Sequence, residues 1–339
     1  MKYFLFVCSV VVITSCSNPT SNEKPAESKT ETPQSNDVLS AWADAPATQI
    51  KNWVKTVTDS TGKDFIPVKD RIAVFDNDGT LWPEQPIPNQ AVFAIDNLKA
   101  LSASHPQFLK DPVLKGVIDN DMKPLMKAGM PGLIKLIQAS HANQTEETFN
   151  SSVRAWIDTA KDKKFGKLYK DVIYLPMLQL LDYLRTNQFK TFIVSGGGAD
   201  FMRVWSEEAY GIPSYQVIGS YGEVSFDTSG GKAVVMKKAG DIYIDDKAGK
   251  PEAIHRFIGK VPVFCGGNSD GDQPMMEYTS SSKYKNMCVL LHHTDSTREY
   301  KYDLHTASGH LETALEKAKQ KNWLVVDMQT DFKKIFSFE

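Results

Sequence analysis

The sequence predicts an α/β protein: a doubly wound parallel sheet with a block of helices inserted into it. Three observations carry this. Short apolar runs without polar alternation, such as Ile72–Phe75, recur along the chain, as expected of strands covered on both faces. Segments of helical periodicity separate them, the alternation that crossover-connected parallel strands require. Between the first and second runs, residues 88–186 read almost wholly as helix.

The chain opens with Met1-Lys2 and an apolar run, Phe4–Ile13, too short to span a bilayer but suited to the core of a secretory signal. It ends in ITSC, which resembles a bacterial lipoprotein cleavage site with Cys16 as the lipidated residue. Residues 1–16 are therefore expected to be a lipoprotein signal, anchoring the protein to a lipid bilayer in the cell envelope. Residues 17–37, rich in Pro, Ser, Thr, Glu and Lys, lack the apolar surface to fold. As a coil they reach roughly 25 Å, and we expect a disordered tether.

From Thr48, Ile50, Trp53, Val54 and Val57 keep helical spacing, and the strand Ile72–Phe75 follows. In the long helical block, Phe149, Val153, Trp156 and Ile157 form one apolar face, and Leu180, Leu181 and Leu184 another. After Asn187 come a strand ending in IVSGGG, a helix, a strand at 215–218 and a hairpin with Ser-Gly-Gly at its tip. KPEAIHRFIG reads as a helix with proline near its start. VPVFC and MCVLL are strands, and LETALEKAKQKNW followed by LVVDM closes the chain with helix and strand. Residues 38–87 and 187–339 should form the core, and 88–186 a helical cap.

Composition narrows the function classes. The 39 Lys and Arg against 41 Asp and Glu leave no basic excess, so no nucleic-acid partner is expected. Besides Cys8 and Cys16, only Cys265 and Cys288 occur. Both sit in strand-like runs, where disulfide geometry is rare, which favours two buried thiols.

Ligands of such folds bind beyond the carboxyl ends of the strands. There this chain places Asp76 and Asp78, Ser195, the loop Asn268–Asp272, and the pair His292 and His293. Two neighbouring carboxylates disfavour joint ionisation unless a cation or proton sits among them. A magnesium ion with a substrate phosphate satisfies that need. Asp76 can then attack phosphorus as the nucleophile, while Asp78 carries the proton as general acid and base. Ser195 offers a hydroxyl, and the amides of Gly196 and Gly197 an anion cradle. Lys250 is placed to meet phosphate, and Asp270 and Asp272 bring carboxylate to the metal. Of the histidines, at most one faces the site, because neighbouring strand residues point oppositely.

Taken together, DNDGTL, IVSGGG, Lys250 and GNSDGDQPMM resemble, in order, the four motifs of the haloacid dehalogenase superfamily, over about residues 70–330. The resemblance is closest to its phosphoserine-phosphatase-like branch, in which a helical cap is inserted between the first two motifs. It implies a Rossmann-like core and magnesium-dependent hydrolysis of a small phosphate monoester through an aspartyl-phosphate on Asp76. It also implies metal ligation by the Asp76 side chain, the Asp78 main-chain carbonyl and Asp272, with Thr80, Gly196 and Gly197 at the substrate. Asn268 stands where the branch has an aspartate; it and Asp270 are the further candidate ligands. Glu84 matches a substrate-amine contact, and Arg203 is a candidate anion contact. A phosphotransferase on the same scaffold is the alternative chemistry, and a non-catalytic phosphate-ester-binding lipoprotein the alternative class.

Overall fold

A computed structural model describes residues 38–339. The expected lipoprotein signal, Cys16 and the tether lie outside the described residues. No described helix is long and apolar enough to cross a membrane.

Among the described residues, eight strands make one sheet: β1 (Ile72–Phe75), β2 (Gln144–Thr145), β3 (Lys190–Gly198), β4 (Val217–Asp227), β5 (Val234–Tyr243), β6 (Phe264–Gly267), β7 (Met287–His292) and β8 (Leu324–Asp327). Their order is β2-β5-β4-β3-β1-β6-β7-β8. The six strands from β4 to β8 in that order pair in parallel. Only β5 and the two-residue β2 are antiparallel, extending the sheet at one edge. The chain thus runs outward from β1 to β3 and β4, then returns to β6 on the other side. The reversal opens a crevice beyond the ends of β1 and β6, where such folds bind ligands.

The unalternating strands have a direct explanation. Ala73 and Phe75 of β1 enter one core, while Ile72 and Val74 enter the core on the opposite face. Helix α1 (Asp44–Thr58) covers the first face with Ile50, Trp53, Val54 and Val57, the residues its periodicity selected.

Between β1 and β3 lie α2 (Asn89–Leu101), α3 (Pro112–Ile118), α4 (Lys123–His141), α5 (Glu146–Ile157) and α6 (Leu175–Thr186). Helices α2 to α4 share a small core of their own around Ala94, Leu98, Leu114, Val117 and Leu136. Both apolar faces noted in the sequence, on α5 and α6, pack into the main core instead.

The remaining helices are α7 (Ala199–Arg203), α8 (Ser206–Tyr210), α9 (Gly249–Ala253), α10 (Gln273–Ser280), α11 (Thr313–Lys321) and α12 (Met328–Asp331). The expected hairpin is present as β4–β5, with β4 longer than its apolar start suggested. Cys265 and Cys288 are paired by register across β6 and β7, and both are free, buried thiols.

Candidate active site

Strand β1 delivers Asp76 to the crevice, and its N–H continues the ladder by donating to Gly266 O at 3.0 Å. The chain then turns at once. Gly79 has φ +76°, a conformation that favours glycine, and a Cβ there would fall 2.2 Å from Asn268 Nδ2.

Lys250, from α9, is almost completely buried, and its ammonium reaches three acceptors: Asp76 Oδ1 at 2.6 Å, Asp272 Oδ1 at 2.7 Å and Val194 O at 2.9 Å. Burial alone would lower its pKa, but Asp272 and Asp76 outweigh it and hold the charge firmly. One lysine does not balance the carboxylates around it. Burial, then the charge of Asp272, raises Asp76 well above the ordinary range despite Lys250. Burial raises Asp78 too, against the hydrogen bond from Trp82 Nε1 to Asp78 Oδ1 at 2.8 Å.

Asp272 is brought to the site as expected, but as the partner of Lys250. Its Oδ2 accepts from the N–H groups of Asn268 and Ser269, at 2.9 and 3.0 Å, and from Ser269 Oγ at 3.1 Å. Asn268 is buried beside it, its amide oxygen accepting from Thr80 Oγ1 at 3.1 Å and its nitrogen donating to Glu84 Oε1 at 2.6 Å. Ser195 Oγ accepts from Gly197 N at 3.1 Å, and Gly198 N donates to Gln90 Oε1 at 2.6 Å. The amide of Gly197 is therefore already spent within the loop, whereas Gly196 is exposed.

Four expectations for side chains change in the structure. Asp270 directs its carboxylate to the N–H groups of Glu312, Thr313 and Ala314, where it caps the start of α11. Arg203 closes onto Asp200 and Val217 O. Glu84 is buried and engaged within the protein, accepting from Asn268, Tyr302 OH and Ser308 Oγ. Thr80 is fully buried against Asn268 rather than open to substrate. Asp270, Glu84 and Thr80 have partners far away in sequence.

Of the two histidines, His293 turns inward. It contacts Gly79 O through Nε2 at 2.7 Å and Glu299 through Nδ1 at 3.1 Å, supporting the turn after Asp78. His292 faces outward, 3.8 Å from Asp303.

Asp245 escaped the sequence reading. It is fully buried, and neither carboxylate oxygen has a hydrogen-bond partner. Burial pushes its carboxyl up to about 6, with Lys250 opposing. Its N–H donates to Ser220 Oγ, which in turn holds Gly196 O. An Asp-Asp pair five residues before the motif lysine was the available signal, but such pairs are ordinary in solvated loops.

Among the described residues, no three His, Cys, Asp or Glu side chains cluster as a metal cage. Magnesium does not need one, since it takes one or two carboxylates and keeps its waters. Asp76 Oδ2 has no protein donor among the described residues, and the surplus of buried carboxylate, with Asp245 wholly unpaired, calls for positive charge. The oxygen donors here fit a hard divalent cation. Asp272 and Asn268 would have to exchange hydrogen bonds to join its shell.

The sequence matches the family described as haloacid dehalogenase-like hydrolase over residues 73–277. No curated protein matches the chain in sequence. Among solved structures, the fold is similar to a conserved functionally unknown protein from Anaerococcus prevotii DSM 20548, with TM-score 0.54 and 13% identity over 84% of this chain and 92% of that one. A protein with unknown function from Bordetella pertussis Tohama I gives TM-score 0.45 and 12% identity, over 76% and 98% of the two chains. A phosphoserine phosphohydrolase-like protein from Francisella tularensis subsp. tularensis SCHU S4 gives 0.36 and 16%, over 65% and 87%. Of these, the first likeness alone exceeds a TM-score of 0.5, and at 13% identity it bears on fold alone.

Proposed function

The chain belongs to the haloacid dehalogenase-like hydrolases, and from that premise we propose that it hydrolyses a small phosphate monoester through an aspartyl-phosphate on Asp76. The observation that carries the proposal is the convergence of Asp76, just past the end of β1, and Asp272 on the buried Lys250 ammonium, with Asp78 two residues beyond Asp76.

Lys250 fixes the Asp76 carboxylate by one oxygen and screens it from Asp272, so the nucleophile is oriented before substrate arrives. Trp82 holds Asp78 Oδ1, which leaves Oδ2 to handle the proton. Its raised pKa favours the protonated form that the first step needs. An Asp76 oxygen bonds to phosphorus as the ester oxygen departs with the proton from Asp78. Asp78 next takes a proton from water as that water attacks phosphorus, releasing phosphate and restoring Asp76. Magnesium, held by the Asp76 side chain and the Asp78 main-chain carbonyl, would neutralise charge on the phosphoryl oxygens.

The N-terminal sequence supports an envelope lipoprotein anchored through Cys16. Fatty-acid labelling that persists in Cys16→Ser would rule this out.

Turnover of an aryl phosphate, with and without magnesium, tests the activity. Rapid quenching followed by mass spectrometry should show phosphate on residue 76, and Asp76→Asn should show neither turnover nor adduct. Turnover at the unmodified rate by Asp76→Asn would refute the proposal.

A further inference from the structure

Gln90, the second residue of α2, reaches across to the glycine loop after β3. Its Oε1 accepts from Gly198 N at 2.6 Å, and its Nε2 stands 3.3 Å from His141 Nε2. Gly198 must be glycine for this approach, since a Cβ there would lie 2.6 Å from Gln90 Nε2.

The amide is held in one orientation. Ser140 Oγ donates to Leu136 O, so it accepts from His141 Nδ1 at 2.7 Å. That leaves His141 Nε2 as a lone-pair acceptor, and burial, aided by the charge of Lys237, pushes the imidazole pKa down to about 3 and keeps it neutral. The neutral ring takes one N–H of Gln90, while Gly198 takes one lone pair of its oxygen. One N–H and one lone pair of the amide remain unspent.

These unspent groups stand beside the proposed acid. A carbon placed at the Cβ position of Gly197 would lie 3.2 Å from Asp78 Oδ2, 3.4 Å from Gln90 Oε1 and 3.4 Å from Ser195 Oγ. A leaving group that takes its proton from Asp78 Oδ2 therefore meets Gln90 with its neighbouring atoms. Gly196 is exposed and Gly197 partly exposed, so the position is open from outside.

Three charged side chains nearby have partners within the protein, while Asp246 lies beside Gly196, its Cβ 3.7 Å from the Cβ position there. Lys237 and Arg203 both close onto Asp200, and Glu84 is enclosed by Asn268, Tyr302 and Ser308. Beside Asp78 Oδ2, Gln90 presents a neutral amide with one donor and one acceptor, the complement of an alcohol hydroxyl.

We propose that Gln90, positioned by His141, binds a hydroxyl of the leaving group next to the ester oxygen, so that the substrates are polyol or sugar monophosphates rather than phosphorylated amino acids. This rests on the phosphatase reading above. His141 acts through Gln90 and is a positioning residue.

The test is the ratio of kcat/KM for glycerol phosphate or sorbitol phosphate to that for para-nitrophenyl phosphate, which has no neighbouring hydroxyl, with phosphoserine as the charged comparator. The unmodified protein should favour the polyol esters over phosphoserine. Gln90→Leu should lower the polyol-to-aryl ratio about tenfold, the worth of one lost hydrogen bond. Gln90→Asn, which keeps the amide but cannot reach both His141 and Gly198, should shift it in the same direction, as should His141→Phe. A ratio unmoved in Gln90→Leu and Gln90→Asn, or a preference for phosphoserine, overturns this inference while aryl phosphate turnover leaves the phosphatase reading standing. Absence of turnover on every ester by the unmodified protein overturns both.

Discussion

Lys250 Nζ lies 2.6 Å from Asp76 Oδ1, with the lysine almost wholly removed from solvent. The same ammonium also binds Asp272, so its removal strands two buried carboxylates. Breaking such a pair from one side costs far more than the pair contributes net, about 3–5 kcal/mol. Lys250→Met should therefore lose activity and lose stability by that amount in urea unfolding at neutral pH. Without the lysine the two carboxyls would titrate higher in the folded state than in the unfolded one. The folded state then takes up protons preferentially, so the deficit should shrink as pH falls. A deficit independent of pH would mean that the carboxylates are not what the lysine neutralises.

A second relationship concerns Asn268 and Glu84, joined at 2.6 Å. Restoring the usual acid with Asn268→Asp replaces a donor by a carboxylate against a buried carboxylate. The expected result is a loss of about 2–3 kcal/mol in stability in metal-free buffer. If the new carboxylate instead joins the metal shell, magnesium will recover part of that loss and bind more tightly. Unchanged magnesium affinity and unchanged stability together would contradict the geometry.

Asp270 separates a capping role from a ligand role. Its oxygens take the N–H groups of Glu312, Thr313 and Ala314 at 3.0, 3.2 and 2.9 Å. Asp270→Ala should cost about 1 kcal/mol, the usual worth of a helix cap. Magnesium affinity measured by calorimetry should be unaltered. A fall in affinity without a fall in stability would return Asp270 to the metal shell.

These cases mark where sequence stops being legible. The strands could be read because residues such as Ile72 to Phe75 face two cores at once and leave no polar alternation. Asp76, Asp78, Lys250 and Asp272 could be read because each follows a strand or opens a helix at the crevice, where the fold itself brings them together. What Glu84, Asp270, Arg203 and Thr80 touch could not be read. Their partners, Tyr302 and Ser308, the start of α11, Val217 and Asn268, come from elements whose approach depends on the whole packing. Gln90 was passed over for the same reason: it begins an amphipathic helix, and only the close passage of Gly198 gives it a task. Asp245 was missed because a carboxylate gives no sign in sequence of being buried without a partner.

Glu84 also predicts how stability follows pH. Burial pushes its carboxyl up to about 7 from an ordinary value of 4.5, against hydrogen bonds from Ser308 and Tyr302. A raised acid binds its proton more tightly folded than unfolded, so its contribution is complete below the unfolded value and is lost as pH climbs through the folded one. The shift corresponds to on the order of 3 kcal/mol, all of it spent between those two values. Asp76, Asp78 and Asp245 are also raised, so the unmodified protein alone cannot isolate Glu84. Glu84→Gln can, because the amide keeps the shape and an acceptor for Asn268 and Tyr302 but does not titrate. Urea midpoints across this window should fall less steeply in Glu84→Gln than in the unmodified protein, and the two curves should run parallel above about pH 8. Parallel curves throughout the window would show that Glu84 is ionised in the folded state at its ordinary pKa, and that the buried node around Asn268 is a charged one.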